Sequence, residues 1–209
     1  MSASIRVRTN PAGRWGTDEL DILLAEIRAC RACARALPHE PRPVVRASAT
    51  AQLAICSQAP GTKVHATGLS FNDASGDRLR GWLGIDRDTF YDERRIAIVP
   101  MGFCFPGQDA TGADLPPRKE CAPLWHARLF AALPQIDLRL LVGSYAIKWH
   151  LGTRAKPTLS ETVAAWREYL PRQIPLPHPS WRNNGWLRAN PWFERELVPE
   201  LRSRVRGLL

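Results

Sequence analysis

Long apolar runs are absent from this sequence. No stretch of its 209 residues approaches the roughly eighteen uninterrupted apolar residues that a membrane-spanning helix needs. The first sixteen residues, MSASIRVRTNPAGRWG, also lack the apolar segment of a secretory signal peptide. Both absences argue against a membrane-embedded or exported protein. We therefore expect a cytoplasmic protein in which residues 1–16 form a flexible segment before a single domain at residues 17–209.

Lysine is also scarce. Only four of the 29 basic residues are lysines, so 25 are arginines, and the formal net charge is +9. The planar guanidinium group of arginine matches phosphate oxygens, and neutralising phosphates releases counterions from nucleic acid. The charge therefore suggests a nucleic-acid partner or another polyanion, although a genome-wide compositional bias produces the same surplus of arginine.

Internal repeats and low-complexity tracts are absent as well, and strand patterns alternate with helix patterns along the chain. Buried strands are predicted at residues 51–57, 95–101, 138–144 and 172–177. Helices are predicted around them, among them one that opens with a capping box at Thr158 and Glu161 and a last one that starts at Asn190 and kinks at Pro199. The alternation predicts an α/β fold: a three-layer sandwich with a central, mainly parallel four-stranded sheet flanked by helices.

Two loops that leave the predicted strands carry unusual chemistry. They read QAPGTKVHATGLSFNDASG at residues 58–76 and HPSWRNNGW at residues 178–186. In parallel sheets, ligands bind beyond the carboxyl ends of the strands. We therefore expect the functional site where these two loops meet.

The five cysteines, in a chain without an export signal, favour thiols that are reduced or metal-bound over a disulfide framework. Cys30 and Cys33 form a C-x-x-C pair at the end of the first predicted helix, and this pair alone fits a redox dithiol, a zinc site or an iron-sulfur site. Cys104 and Cys121 bracket a loop whose glycines and Pro-Pro pair allow both ends to face one point. Scattered single ligands favour an iron-sulfur cluster over zinc without excluding zinc. Cys56, inside a predicted strand, fits a buried core residue.

An ordered set of short motifs adds a family resemblance. The set comprises the C-x-x-C pair, a strand ending in QAPG, a G-x-x-F followed by SG, the second cysteine pair around a proline-containing loop, the strand LLVGSYA and a late HPS. In this order, over roughly residues 20–200, the motifs resemble the iron-sulfur, family 4-like branch of the uracil-DNA glycosylase superfamily. The resemblance implies a DNA glycosylase that hydrolyses the N-glycosidic bond of a flipped-out damaged or deaminated base, with uracil the first candidate.

The resemblance also implies a cofactor and a partner. It assigns a four-iron four-sulfur cluster to Cys30, Cys33, Cys104 and Cys121. The partner it implies is DNA, bound through the flipped base and the phosphate backbone in base excision repair. We expect the protein to act as a monomer without membrane association.

The QAPG turn is implied to cradle the sugar of the flipped nucleotide with Gln58, Ala59, Pro60 and Gly61. The family usually carries glutamate where this chain has Gln58. An amide can orient a water molecule, but it cannot accept the proton of that water. His65 and Asp73, in the same loop, are the candidate substitutes, and a phosphate contact is the alternative role for His65.

Phe71 matches the family's stacking phenylalanine, the platform for the flipped base, although a loop phenylalanine is often a core residue. The family's reader of the base edge is an asparagine near the end of the second strand. This chain reads VPMGFC there, with Pro100 and no side-chain amide, so uracil specificity is in doubt. Asn72, beside Phe71, is the candidate that could supply an amide from the other side.

His178 matches the histidine that, across the superfamily, donates a hydrogen bond to the carbonyl oxygen of the base. Taken without the family, a His-Pro pair is more often a structural turn. The residues that follow, Ser180, Trp181, Arg182 and Asn183, are implied to form the wedge and phosphate clamp that fill the gap left in the duplex.

An alternative reading is a non-catalytic nucleic-acid-binding member of the fold with a structural iron-sulfur cluster. Gln58 and the missing asparagine favour this alternative. Phe71 and the HPS motif favour the enzyme, because a protein that only binds nucleic acid needs no base pocket. A zinc protein unrelated to repair survives only if the motif order is coincidental.

Overall fold

The computed structural model describes residues 17–209, and the predicted flexible segment at residues 1–16 lies outside the described residues. The strands are β1 (Leu53–Cys56), β2 (Ile96–Ile98), β3 (Leu138–Val142) and β4 (Gln173–Leu176). Within the described chain they form one sheet in the spatial order β2-β1-β3-β4, and every pair is parallel. The predicted four-stranded parallel sheet with helices around it is confirmed.

Helices precede, connect and follow the strands. In residues 17–209 they are α1 (Thr17–Arg28), α2 (Thr62–Thr67), α3 (Ala74–Leu83), α4 (Arg87–Tyr91), α5 (Cys121–Ala131), α6 (Ser144–Leu151), α7 (Leu159–Ala164), α8 (Asn184–Ala189) and α9 (Val198–Leu208). None of them, within this described range, combines the length and apolar character that crossing a membrane requires.

Side-chain alternation along β1 divides the core into two layers. Leu53 and Ile55 pack into the larger core, which α3, α6 and α9 complete. Ala54 faces the opposite side, where Ala97 of β2 lies beside it and α1 and α5 supply the large side chains. Each buried leucine or isoleucine contributes about 1.5–3 kcal/mol. The two cores therefore stabilise a sheet whose strands are only three to five residues long.

One local prediction is confirmed, and others need correction. The capping box is present, since Thr158 and Glu161 exchange side-chain and backbone hydrogen bonds at the start of α7. The first helix ends at Arg28, so the Cys30 pair follows the helix and does not lie on its C-terminal end as predicted. The stretch at 58–76 is not all loop, because it contains α2.

The C-terminal helix differs from its prediction. A π-helical turn at Phe193–Leu197 runs directly into α9 at Val198, so helical structure begins close to the predicted Asn190. Pro199 follows the π-helical turn directly and has no backbone N–H to donate to a carbonyl of that turn. The kink at Pro199 stays a prediction.

The carboxyl end of β1 stays paired beyond the last strand residue. The backbone N–H of Met101 donates to the carbonyl of Ser57 at 2.7 Å, and that of Gly102 donates to the carbonyl of Gln58 at 3.0 Å. These bonds hold the QAPG turn beside the segment that leaves β2. The parallel order thus gathers both segments at one edge of the sheet.

Candidate active site

A cavity of about 230 Å³ opens at the carboxyl-terminal edge of the sheet. It brings together the following residues of the two loops that the sequence singles out: Gln58, Ala59, Pro60, Gly61, Phe71, Asp73 and His178. Lys63 also lines it, as do Gln108 and Asp114 from the loop between Cys104 and Cys121. The two loops meet at one cavity because parallel strands present their carboxyl ends at the same edge.

Phe71 forms part of the cavity wall and has an unusual backbone. Its φ is +57°, a left-handed value that costs a non-glycine residue of order 1 kcal/mol. The side chain is 8% exposed and meets the ring of Phe90 edge-on, with centroids 5.9 Å apart. Gly76, in the first turn of α3, packs so closely on the Phe71 backbone that no side chain fits there. The surrounding fold therefore holds the ring of Phe71 in place at the wall of the cavity.

Asp73 has a structural role at the same wall. It precedes α3 as the N-cap, and its Oδ1 accepts a hydrogen bond from the N–H of Gly76 at 3.0 Å. An N-cap of this kind stabilises a helix by about 1 kcal/mol. One carboxylate oxygen of this cavity residue is thus committed to starting the helix.

The tautomer of His178 is fixed by the chain that follows it. The backbone N–H of Ser180 donates to Nδ1 of His178 at 3.2 Å, so the proton of the neutral ring lies on Nε2. Burial lowers the pKa of His178, and the negative charges of Asp73 and Asp114 offset only part of that effect. At neutral pH the imidazole is therefore an uncharged Nε2–H donor at the cavity.

The segment after His178 has two parts, a hydrogen-bonded turn and an exposed tip. Asn183 donates from its amide nitrogen to the carbonyl of His178 at 2.7 Å, and Ser180 caps a 3₁₀ turn by accepting from the N–H of Arg182. Trp181 is 71% exposed, and the guanidinium of Arg182 lies 5.4 Å from the centroid of its ring. Ser180 and Asn183 thus hold the turn, while Trp181 and Arg182 project from it.

His65 does not line the cavity. Its ring lies in α2 against His39 and Phe105, with centroid distances of 4.9 and 5.8 Å. Burial lowers the pKa of His65, and the positive charges of His39 and Arg42 lower it further. The guanidinium of Arg42 donates to the carbonyls of His65 and Ala66 at 2.6 and 2.8 Å. A catalytic role for His65 stays a prediction that its position does not support.

The predicted reader of the base edge, Asn72, is engaged elsewhere, and the end of β2 supplies no replacement. Asn72 lies outside the cavity lining, and its Oδ1 accepts from the guanidinium of Arg87 at 2.9 Å. Pro100 lines the cavity without a backbone N–H, and its carbonyl bonds to Nε2 of the buried His126 at 3.0 Å. The end of β2 therefore offers the cavity no side-chain amide at this position.

A hairpin at residues 107–115 carries the cavity residues that sequence reasoning misses. The N–H of Leu115 donates to the carbonyl of Gly107 at 2.9 Å, which closes the hairpin. At its tip, the Asp109 carboxylate accepts from the N–H groups of Thr111 and Ala113 at 2.8 and 3.0 Å. The sequence signal for this hairpin is the pair of aspartates in QDATGAD. Sequence reasoning treated that stretch only as a spacer between Cys104 and Cys121.

Comparison with known protein families decides which family this fold and cavity represent. The family model of the Uracil DNA glycosylase superfamily matches residues 45–202. The chain belongs to that superfamily. Members of the uracil-DNA glycosylase superfamily usually hydrolyse N-glycosyl bonds in DNA, so membership implies DNA binding. The matched range contains all four strands and every cavity residue named above.

The superfamily match does not extend to the whole cysteine set. Cys104 and Cys121 lie inside the matched range of residues 45–202, whereas Cys30 and Cys33 precede that range. In the structure the four side chains nevertheless line one small cavity of about 20 Å³ at the end of α1. The fifth cysteine, Cys56, is fully buried in β1, as its apolar surroundings predict.

The cysteine cavity combines thiols with an otherwise largely apolar lining that includes Phe103, Leu124 and Trp125. Burial raises the pKa of Cys104 to about 11 and that of Cys121 to about 12, and the neighbouring cysteines act in the same direction. These two thiols are protonated at neutral pH unless a positive charge lies among them, because metal coordination deprotonates a thiol.

The described residues contain no preformed metal site. Among residues 17–209, no group of three or more histidine, cysteine, aspartate or glutamate side chains is arranged to hold one metal ion. Cys30, Cys33, Cys104 and Cys121 nevertheless line one cavity. Cysteine thiolates are the ligands of iron-sulfur clusters, so the donor type fits such a cluster.

Proposed function

We propose that this superfamily member is a DNA glycosylase that hydrolyses the N-glycosidic bond of a flipped-out damaged or deaminated base in base excision repair, with uracil the first candidate. One observation carries the proposal. A single cavity contains both the Phe71 ring and a His178 imidazole whose donor nitrogen is fixed. A protein that bound DNA only through its phosphates would use neither group.

His178 acts on the leaving base. When the N-glycosidic bond breaks, its electrons move onto the base, and negative charge develops on a carbonyl oxygen. The Nε2–H of His178 donates to that oxygen, while Ser180 holds the opposite ring nitrogen. A preorganised donor of this kind lowers the barrier enough to raise the rate about 10²-fold or more.

Phe71 holds the base while the bond breaks. Stacking on an aromatic ring stabilises a flipped base by about 1–3 kcal/mol and tolerates different bases, because every base has a flat face. Phe90 and the close packing at Gly76 keep the ring in place. Base selectivity therefore depends on the polar residues of the cavity rather than on the platform.

Trp181 and Arg182 contact the DNA around the flipped nucleotide. A tryptophan that is 71% exposed, at the tip of a turn beside the cavity residue His178, suits insertion into the gap in the base stack. Arg182, beside it, bonds to a phosphate. The net charge of +9 strengthens binding to any DNA sequence.

We also propose a four-iron four-sulfur cluster on Cys30, Cys33, Cys104 and Cys121. The support is that the four cysteines line one cavity. When bound, the cluster would be ligated by the four cysteine thiolates. This ligation would join the end of α1 to the segments on either side of the loop between β2 and α5. It performs no step of the hydrolysis in this proposal.

An incision assay tests the proposed function. Purified protein is incubated with single- and double-stranded oligonucleotides that carry uracil, hypoxanthine or xanthine, and with abasic and undamaged controls. We expect cleavage at one or more lesions after alkaline treatment, and we expect His178→Ala to lose about 10²-fold or more in rate while still binding DNA. A folded His178→Ala protein with full activity would show that the active site is elsewhere.

The alternative function is DNA binding without catalysis. Gln58 in place of the family's glutamate and Pro100 in the region where the family carries an asparagine favour it, because two parts of the family's uracil site are missing. The same panel separates the two functions. Tight binding with no release of any base would establish the alternative.

A further inference from the structure

The carboxylate of Asp114 lies against the turn that carries Gln58. An ideal Cβ built on Gly61 would be 3.0 Å from Oδ2 of Asp114, so the carboxylate uses the space that a side chain at position 61 would need. Leu115, the residue after Asp114, contacts Gln58 itself. Nε2 of Gln58 lies 3.5 Å from the carbonyl oxygen of Leu115. Asp114 thus brings a carboxylate to the turn in which this chain has Gln58 in place of the family's glutamate.

The two oxygens of Asp114 are in different situations. Oδ1 accepts a hydrogen bond from Nε2 of Gln108 at 3.1 Å, across the hairpin. Oδ2, the oxygen next to Gly61, accepts no hydrogen bond from any of the residues that the structure describes. Gln108 therefore fixes the orientation of the carboxylate, while Oδ2 stays available to water or sugar in the cavity.

Asp73 is the competing carboxylate in the same cavity. One of its oxygens caps α3 through Gly76, so its position is set by the helix rather than by the QAPG turn. Asp114 has no such duty in a helix, and it lies beside Gly61 of the turn. Position favours Asp114 for the chemistry at the sugar.

We propose that Asp114 is the catalytic carboxylate of this glycosylase and that it replaces the glutamate absent at Gln58. The inference rests on the proposed function. As the N-glycosidic bond breaks, the Asp114 carboxylate stabilises the cationic sugar and accepts a proton from the attacking water. The water oxygen bonds to the sugar carbon, the bond electrons leave with the base, and the proton passes to the departing base or to solvent. The products are an abasic sugar and the free base.

The test is a set of isosteric substitutions measured in single turnover on the best lesion from the oligonucleotide panel. Asp114→Asn keeps an oxygen for Gln108 but removes the charge. Gln58→Glu in the Asp114→Asn protein returns a carboxylate to the turn. Asp88→Asn, at an exposed position of α4, is the control for the loss of one negative charge. DNA affinity is measured for each variant in parallel.

We expect Asp114→Asn to lower the rate about 10²-fold or more with little change in DNA affinity, and the added Gln58→Glu to recover most of that loss. Asp88→Asn should behave like the unsubstituted protein. If Asp114→Asn stays within about threefold of the unsubstituted rate while His178→Ala is inactive, the role of Asp114 is overturned and the glycosylase function stands. A loss that Gln58→Glu does not recover would make Asp114 a hairpin residue and also overturn the role. If the unsubstituted protein releases no base at all, both proposals fail.

Discussion

The carbonyl oxygen of Phe71 lies only 1.8 Å from the point that a Cβ at Gly76 would occupy. Glycine is the only residue that permits this approach, and the approach supports the left-handed backbone of Phe71. The G-x-x-F and SG motifs, five residues apart, are therefore one structural unit. Their joint effect is to place an aromatic ring at the cavity.

Gly76→Ala should displace Phe71 and lower both activity and stability. Overpacking against a backbone atom typically costs 1–3 kcal/mol, so the free energy of unfolding should fall by about that amount. Gly81→Ala, in the same helix, is the matched control, because a Cβ there meets nothing within 4 Å. That control should gain about 0.5–1 kcal/mol from helix propensity. Urea denaturation and base release are the measurements, and two variants of equal stability would contradict the close approach.

Loss of a cluster ligand should remove iron. Protein purified without oxygen should be brown, and Cys104→Ser or Cys121→Ser should lose the colour, the bound iron and part of the folding stability. Cys56→Ala should keep its iron, because Cys56 is buried in β1 away from the cysteine cavity. Metal analysis and visible absorption spectra measure the bound iron in each variant. A colourless protein with one zinc ion per chain would rule out the cluster.

DNA binding should weaken steeply with salt. The logarithm of the affinity should fall linearly with the logarithm of the salt concentration, and Arg182→Ala should reduce that slope by about one ion. Arg206→Ala, near the end of α9, removes the same charge and should leave the slope close to that of the unsubstituted protein. Fluorescence anisotropy at several salt concentrations measures the slopes. Equal slopes for the two variants would remove Arg182 from the DNA interface.

Stability should fall in mild acid because two histidines are buried without charge. Burial lowers the pKa of His126 to about 4 and that of His150 to about 3, whereas an unfolded histidine has a pKa of about 6.5. Below about pH 6.5 the unfolded chain therefore binds protons that the folded chain does not. The stabilisation is complete above that pH and is lost as the pH falls toward 4.

His150→Phe tests this pH dependence. The ring of His150 already packs edge-on against Phe130, with centroids 5.4 Å apart, so phenylalanine has an apolar neighbour there. Removing one titrating group should make the free energy of unfolding less dependent on pH, by about 1.4 kcal/mol per pH unit between pH 6 and 5. Denaturation curves at several pH values measure this difference. Identical pH slopes would mean that His150 is not buried in its neutral form.

The sequence by itself determined the elements of this protein and the two loops that matter. Apolar periodicity and capping depend on residues close together in the chain, so the strands, α1 and the capping box at Thr158 follow from local physical chemistry. The motifs that include Phe71 and His178 lie at strand ends, where parallel sheets bind ligands. These predictions needed no knowledge of how distant segments pack.

Only the tertiary structure decided which polar groups face the cavity and in what state. His65 looked suitable because it follows Gln58 in the same loop, and Asn72 because it adjoins Phe71, yet each packs against other segments. Asp114 lies more than fifty residues from Gln58 and reaches the same turn through a hairpin. The donor nitrogen of His178 depends on how the chain turns back at Ser180. Local patterns set secondary structure, whereas hydrogen-bond partners and burial arise only when segments far apart in sequence come into contact.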